Sequence, residues 1–372
     1  MSIELKEVKN KQTLLKFIRF PYTLYKNCPY YVPPLIKFEI SSLTPKNPAF
    51  EISKVKLFLA IKNDEVVGRI AGIILDAEKK DKNLVRFGWI DFIDDQNVSA
   101  ALINAVIDWA KNYGISGIHG PLGFTDLDFQ GTLIEGFDEL ATQATIYNYP
   151  YYQSHFEIMG FNKACDWLER RGHLSGISKH RKKMTRVSSL IKTRFKLEIK
   201  KITSKAEVKK YAKPAFEIMN KSFKDLYGFY KLNEQQIDYY TNLYFGFVKK
   251  EFIAVIVNEK NEMVAGALSL PSLSKALQKA HGNLYPFGFL HLIKAFQNNE
   301  TIDVLLIGVI PKYQNSGATQ LIFFELLSNF IKNKVVMVNT SIQLEDNLKA
   351  TNQWNKFGIE VAIRRRCFIK LI

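Results

Sequence analysis

The chain reads as an α/β protein with a duplicated layout, and three observations predict it. "VKLFLAIKNDEVVGRIAGIIL" is two runs of β-branched and aromatic residues joined at Asn63 and Asp64, the pattern of a hairpin, and "EFIAVIVNEKNEMVAGALSLP" repeats it much later. Each copy has a Gly early in its second strand, and Gly68 and Gly266 lie 198 positions apart. "FEIMGFNKACDWLE" and "WNKFGIEVAIRRR" each read as a helix ended by Gly and followed by a strand, with Gly160 and Gly358 again 198 apart.

Between these markers each half predicts a core-facing helix. Leu102, Ala105, Val106, Trp109 and Ala110 fall at i, i+3, i+4, i+7 and i+8, ending near Gly114, and Phe323, Leu326, Leu327, Phe330 and Ile331 repeat the spacing. The helices are 221 positions apart, so the second copy must carry an insertion before its helix and the first copy one after it. The candidates are "SLSKALQKAHGNLYPFGFLHLIKAF" and "GPLGFTDLDFQGTLIEGFD". From about Arg170 to Lys200 the text turns basic with no clear apolar face. The reading is therefore a first domain over 1–170, a basic connector over 171–200 and a second domain over 201–372.

Composition bounds the function. With 372 residues, 47% hydrophobic and 24% charged, the chain is long enough for two cores and far from the composition of disorder. The formal net charge is +16, but the lysines are scattered, which weighs against a dedicated nucleic-acid face while favouring anions in general. The run "KHRKKMTR" is read as a solvated linker helix rather than a nucleic-acid contact. Cys28, Cys165 and Cys367 form no CxxC pair, so neither a disulfide framework nor a metal site is expected, and a reducing cytoplasm fits. No stretch approaches the ~20 apolar residues of a transmembrane helix.

"LLIGVIPKYQNSGATQLIFFELL" carries the strongest chemical expectation. A strand ends at Pro311, Gln314 to Thr319 form a turn, and a helix begins near Ala318. Phosphates are held by backbone N–H groups at the start of a helix whose dipole favours negative charge, with Gly where a side chain would block the approach. The turn is neither a Walker loop nor a dinucleotide fingerprint. It resembles the pyrophosphate loop Q/R-x-x-G-x-G/A of the GNAT acetyltransferase superfamily, through Gln314 and Gly317, with Thr319 where Gly or Ala is usual. "EDNLKATNQWNKFGIE" is similar to a later segment of that family through Asn347, Ala350, Gly358 and Ile359. Longer stretches, among them "CPYYVPPLIKFEI", are similar to a bacterial tandem subgroup of about this length.

The resemblance implies two tandem GNAT-like domains, each a mixed, mostly antiparallel sheet flanked by helices. It implies acetyl-CoA or another acyl-CoA as cofactor, held by Gln314, Asn315, Ser316, Gly317, Ala318 and Thr319. Asn347 would face the pantetheine arm, and a backbone N–H near Val309 and Ile310 would polarise the thioester carbonyl. In the first half the equivalent position reads "DFIDDQNVSAALI", where Asp94 and Asp95 would repel a pyrophosphate, so only the second copy is expected to bind coenzyme A.

Catalysis needs a base for the amine and a proton for the leaving thiolate. Leu305 and Leu306 stand about where the family's Glu is expected, and Trp354 about where its Tyr would be. Asp303, earlier on the same strand, and His281, in the inserted segment, are the substitutes that titrate usefully. Tyr227, Tyr230 and Tyr285, with Phe229 and Phe287, are candidates to line the acceptor side. Asp126 and Asp128, with Gln130, could meet a cationic amine. The function expected is an acyl-CoA-dependent N-acyltransferase acting on a small-molecule or peptide amine. The alternatives are a catalytically inactive acyl-CoA-binding protein of the same fold and a basic nucleic-acid or anionic-surface binder.

Overall fold

The structure, a computed structural model, describes residues 2–174, 181–245, 248–355 and 357–372, with 181 and 349–352 described by their backbone alone. The first repeat runs β1 (Glu4–Glu7), α1 (Lys11–Leu24), α2 (Ile36–Ser42), β2 (Ser53–Lys62), β3 (Glu65–Leu75), α3 (Asp76–Lys82), β4 (Leu84–Phe92), α4 (Gln96–Lys111), β5 (Gly117–Gly120), β6 (Thr132–Glu135), α5 (Tyr151–Ile158) and β7 (Asn162–His173). The second runs α6 (Arg181–Phe195), β8 (Glu198–Ile199), α7 (Lys205–Lys210), α8 (Ala212–Ser222), α9 (Glu234–Tyr244), β9 (Ile253–Val257), β10 (Met263–Pro271), α10 (Ser274–Ala280), α11 (Gly288–Gln297), β11 (Thr301–Val309), α12 (Ala318–Lys332), β12 (Met337–Thr340), β13 (Gln343–Leu344), α13 (Leu348–Asn355) and β14 (Glu360–Leu371). The order strand, helices, hairpin, strand, helix, strand, helix, strand is thus repeated.

The chain folds as two compact units: 1–168 with 273–294 and 362–372, and 169–272 with 295–361. This corrects cuts at 170 and 200 in three places. The C-terminal strand pairs with β5 of the first unit, Phe368 opposite Gly120 and Leu371 opposite Gly117. The inserted α10 segment is tied to the first unit by Gln278, which donates to the carbonyls of Pro29 and Tyr31 at 2.7 and 3.0 Å. The described residues of 171–200 do not form a free connector: Met184, Val187 and Ile191 lie on one face of α6 and pack into the core of the second unit. "KHRKKMTR" begins at 179 and 180, outside the described residues.

In the first unit the sheet order is β1-β2-β3-β4-β5-β14-β7, and in the second it is β7-β12-β11-β10-β9-β8. Hairpins β2–β3 and β9–β10 are antiparallel, while β4–β5 and β11–β12 are parallel. Asn63 and Asp64 take φ of 53° and 63°, as a tight two-residue hairpin turn requires. Leu102, Val106, Trp109 and Ala110 of α4 are buried against the first sheet, and Phe323, Leu326, Leu327 and Phe330 of α12 against the second. Gly68 sits where α4 crosses β3 closely: a Cβ there would come within 2.7 Å of Leu102 Cδ1.

Both repeats share one irregularity that positions the site. In β4 the register jumps from Arg69↔Asp91 to Ala71↔Gly88, leaving Trp89 and Ile90 opposite Ile70, and Trp89 takes a φ of 44°. In β11 it jumps from Leu268↔Leu306 to Ser269↔Val304, which leaves Leu305 as the extra residue. Such bulges bend the strand away from its neighbour.

Candidate functional site

In the second unit β11 and β12 pair only from Thr301↔Met337 to Val304↔Thr340, closed by Ser341 N–H donating to Val304 O at 2.8 Å. Beyond the Leu305 bulge the strands diverge. Residues Leu305 to Ile307 are half-buried along the edge this opens. Ile310 N–H donates to Val264 O at 3.0 Å, so it is spent within the sheet and cannot polarise a carbonyl, which corrects that part of the sequence reading. Successive N–H groups of a strand point to opposite edges, so the Val309 amide faces the open side. Ser222 Oγ lies within hydrogen-bond reach of Ile218 O at 2.7 Å and of Val309 O, in the next peptide, at 2.9 Å.

The loop after β11 begins with a short turn, Pro311–Tyr313, and ends at Gly317, the N-cap of α12. Ser316 turns inward. Its N–H and Oγ both donate to Tyr313 O, at 3.1 and 2.7 Å, so its amide is not offered to an anion. Gln314 N–H likewise donates to Pro311 O. The amides of Gly317, Ala318, Thr319 and Gln320 meet no protein acceptor among the described residues, and no side chain caps the helix. Four N–H groups without a protein acceptor therefore stand at the positive end of a 15-residue helix, Ala318 itself being fully buried, in a loop that contains Lys312 and no carboxylate. The donor set fits a pyrophosphate. Gly317 is required for a further reason: its φ is +81°, and a Cβ would come within 2.7 Å of Ile191 on α6.

The first unit shows the contrasting arrangement. Asp95 caps α4 by accepting Asn97 N–H at 3.0 Å and pairs with Lys62 at 2.9 Å, while Asp94 meets His155 Nε2 at 2.9 Å. Its own strand pair is prolonged by Leu122 N–H, which donates to Phe87 O at 2.8 Å, and a pocket beside the β4 bulge is lined by Trp89, Ile90, Asp91, Pro121, Gly131 and Tyr152.

A duplicated order of elements, a bulged central strand in each copy, and a split parallel pair ending at an uncapped helix together identify the architecture. The fold is the tandem GNAT fold. A tandem GNAT protein from the clavulanic acid biosynthesis pathway superposes with a TM-score of 0.57 at 11% identity, covering 100% of this chain and 98% of that one. A GCN5-related glucosamine N-acetyltransferase region of a fungal β-N-acetylglucosaminidase superposes at 0.56 and 12% identity, over 99% of this chain and 38% of the other. Among curated sequences, the chain is 29% identical to Protein YghO of Escherichia coli (strain K12), covering 98% of this chain and 94% of that protein. It is 26% identical to the bacterial ceramide synthase of Caulobacter vibrioides, covering 86% and 84%. No protein-family model matches the chain.

Within this tandem GNAT fold the other sequence candidates separate. Asp303 is 2% exposed, on the face of the sheet that also carries Arg171 and Glu169. It stands opposite Asn339 of β12, whose Nδ2 donates to Oδ1 at 2.8 Å. Burial raises its pKa to about 6, opposed by the Asn339 and Ser272 hydrogen bonds and by the Arg171 charge. Sequence reading found Asp303 but missed Asn339, Arg171 and Glu169, because the parallel β11–β12 register and the antiparallel β12–β7 register align them only in the folded sheet. A signal was available for two: Glu169 and Arg171 are two apart on one strand and so share a face.

His281 belongs to the first unit, exposed at the C-cap of α10 in a left-handed conformation, and is no part of the Asp303 cluster. Tyr285 and Phe287 also lie in the first unit, 81% and 68% exposed. Tyr227 and Tyr230 are half-buried between α8 and α9 of the second unit. Asp128 serves its own loop, accepting Thr125 N–H at 2.9 Å, and a Cβ on Gly123 would collide with it. Asp126 is half-buried in the same loop. Asn347 stands half-buried at the start of α13, its N–H donating to Leu344 O, while the Ala350 side chain lies outside those described. Trp354 is 3% exposed and packs edge-on against Phe323 at 4.9 Å, which makes it core.

The first unit holds charged groups that sequence gave no means of pairing. Arg69, wholly buried, donates from Nε to Asp91 Oδ2 at 2.8 Å and from Nη1 to Phe17 O, and Tyr25 donates to Asp91 Oδ1 at 2.8 Å. Glu39 accepts from Trp89 Nε1 at 3.1 Å, and burial raises its pKa to about 7. Arg86 holds Glu78 down to about 2 against the burial that raises it.

Proposed function

We propose that this protein is an acyl-CoA-dependent N-acyltransferase whose second repeat holds the donor. The observation that carries the reading is the coincidence of four unpaired amides at the start of α12 with the open edge of β11. A coenzyme A pyrophosphate would lie on Gly317, Ala318, Thr319 and Gln320, with Lys312 nearby, and Asn315 at the loop's exposed tip. The amide-bearing pantetheine arm would run along the open edge towards Val309, and Asn347 would face it. The bound thioester supplies the activated acyl group.

This chain's groups then divide the work. The Val309 N–H donates to the thioester oxygen as charge develops on it. Asp303, with a pKa raised to about 6, lies six residues or ~20 Å back along the same strand, so the proton the attacking amine releases passes first to water and reaches Asp303 through it. Trp354 donates no proton to the leaving thiolate, which draws one from water. Tyr227 and Tyr230 are proposed to border the acceptor. The similarity to a bacterial ceramide synthase extends the acceptor class to long-chain amines, because a ceramide is an amide of one, and extends the donor to longer acyl groups.

Calorimetry with acetyl-CoA and palmitoyl-CoA, followed by thiol release over peptide N-termini, polyamines and long-chain amino alcohols, tests the reading. Binding with turnover on one class is expected. Gly317→Arg should abolish binding, with Ile191→Ala added to relieve the contact that any side chain at 317 would make. Absence of affinity for either thioester overturns the reading. Binding without turnover on any amine favours an acyl-CoA-binding protein instead, a reading to which the packed Trp354 lends its weight.

A further inference from the structure

The segment between β10 and β11 leaves an apolar surface uncovered. Gly288 and Leu292 turn inward, while Tyr285, Phe287, Phe289, Leu290 and Ile293 stand in solvent, at 38% to 81% exposure. On α11, with ~100° per residue, Phe289, Leu290 and Ile293 share one stripe of about 100°. Tyr285 and Phe287 extend it beyond the start of the helix. With ~200 Å² for a fully exposed large side chain, the patch is on the order of 600 Å². That matches the largest patches of ordinary monomers, which are often functional, and falls short of the ~800 Å² per partner that a stable protein interface buries.

Charge decides what the surface suits. From 272 to 299 the sequence contains no Asp or Glu. It contains Lys275, Lys279 and Lys294, all exposed, with His281 and His291, in a chain of net charge +16. Lys294 borders the apolar stripe on α11.

We propose that this segment docks the protein on an anionic lipid bilayer, α11 lying in the interface with its aromatic and aliphatic stripe among the upper acyl chains. The lysines then sit at the level of the headgroups, where each is attracted by the negative surface, and Tyr285 occupies the depth that amphipathic rings prefer. No helix among the described residues is long and apolar enough to cross a membrane, so the attachment is to one face. The inference rests on this surface and not on the acyl-CoA reading. If the acceptor is a long-chain amine, docking brings the enzyme to the layer where that amine dissolves.

Flotation of the full chain with vesicles tests it, using phosphatidylcholine alone and with about 30 mol% phosphatidylglycerol. The protein should float with the anionic vesicles and bind neutral ones about tenfold more weakly. The triple substitution Phe287→Glu, Leu290→Glu, Ile293→Glu should lower binding to anionic vesicles by at least about tenfold. Its melting temperature should hold, since these side chains are exposed. Leu290→Trp should be quenched by brominated acyl chains in the same vesicles. Three results overturn the proposal: no flotation of the wild type, flotation unaffected by the triple substitution, or a concentration-dependent dimer that the triple substitution makes monomeric. Acyl-CoA titration of the triple variant separates this from the proposed function, because its affinity should be unchanged.

Discussion

Replacing Gln320 by Glu puts a carboxylate at the third residue of α12 without altering side-chain size, at a position that is exposed. Two effects of opposite sign follow from one charge. The helix N-terminus gains ~0.3–1 kcal/mol, because its unpaired amides are partial positive charges. A pyrophosphate on the same amides would lie ~6 Å from the new carboxylate, and with an effective dielectric between ~20 and ~80 the repulsion is ~0.7–3 kcal/mol per unit charge. The dissociation constant of acetyl-CoA should therefore rise by ~3- to ~100-fold while thermal stability holds or improves. Gln320→Lys should reverse both signs. Calorimetry and thermal denaturation in low salt measure the two quantities on the same samples, and about 0.5 M salt should shrink the binding difference by screening. Equal affinity of wild type and Gln320→Glu, with the helix intact, would refute the placement of the anion.

Two further outcomes are expected. Asp303 has a folded pKa of about 6 against an ordinary 3.8. Its contribution is thus fully present below pH ~4 and lost as the pH rises through ~6, by about 3 kcal/mol in all. Asp303→Asn should therefore raise the melting temperature at pH 8 and leave it nearly unchanged at pH 3.5. If Asp303 is the base, the same variant should lose thiol release while keeping its acyl-CoA affinity, and wild-type activity should fall as pH drops through ~6. Undiminished turnover in the variant removes Asp303 from the chemistry. Arg69→Met should cost ~3–5 kcal/mol in denaturant titration by stranding the buried Asp91, and adding Asp91→Leu should recover much of it. Additive losses would show that the two groups are not coupled.

The duplication was legible because its markers are local. A two-residue turn at Asn63 and Asp64, glycines in left-handed conformations at 160 and 358, and apolar spacing on α4 and α12 all reflect what a short stretch of backbone can do by itself. The uncapped start of α12 was legible for the same reason, since a turn with one Gly and no acid stands before an apolar helix. What that Gly accommodates was not: the demand at 317 comes from Ile191 as well as from φ, and Ser316 spends its amide on its own turn. Those depend on how the loop is folded.

Partnerships across strands were beyond the sequence. The pairing of Asp303 with Asn339 follows from a parallel register spanning a helix, and the burial of Arg69 with Asp91 from an antiparallel register with a bulge. A one-residue slip would turn either partner to the opposite face. The unit boundaries were likewise a tertiary matter, because hydrogen bonding and packing assign a strand to a sheet whatever its place along the chain. Order of elements, repeat and helix start were written in the 372 residues; which charges meet and which apolar face remains bare were decided only when distant segments came into register.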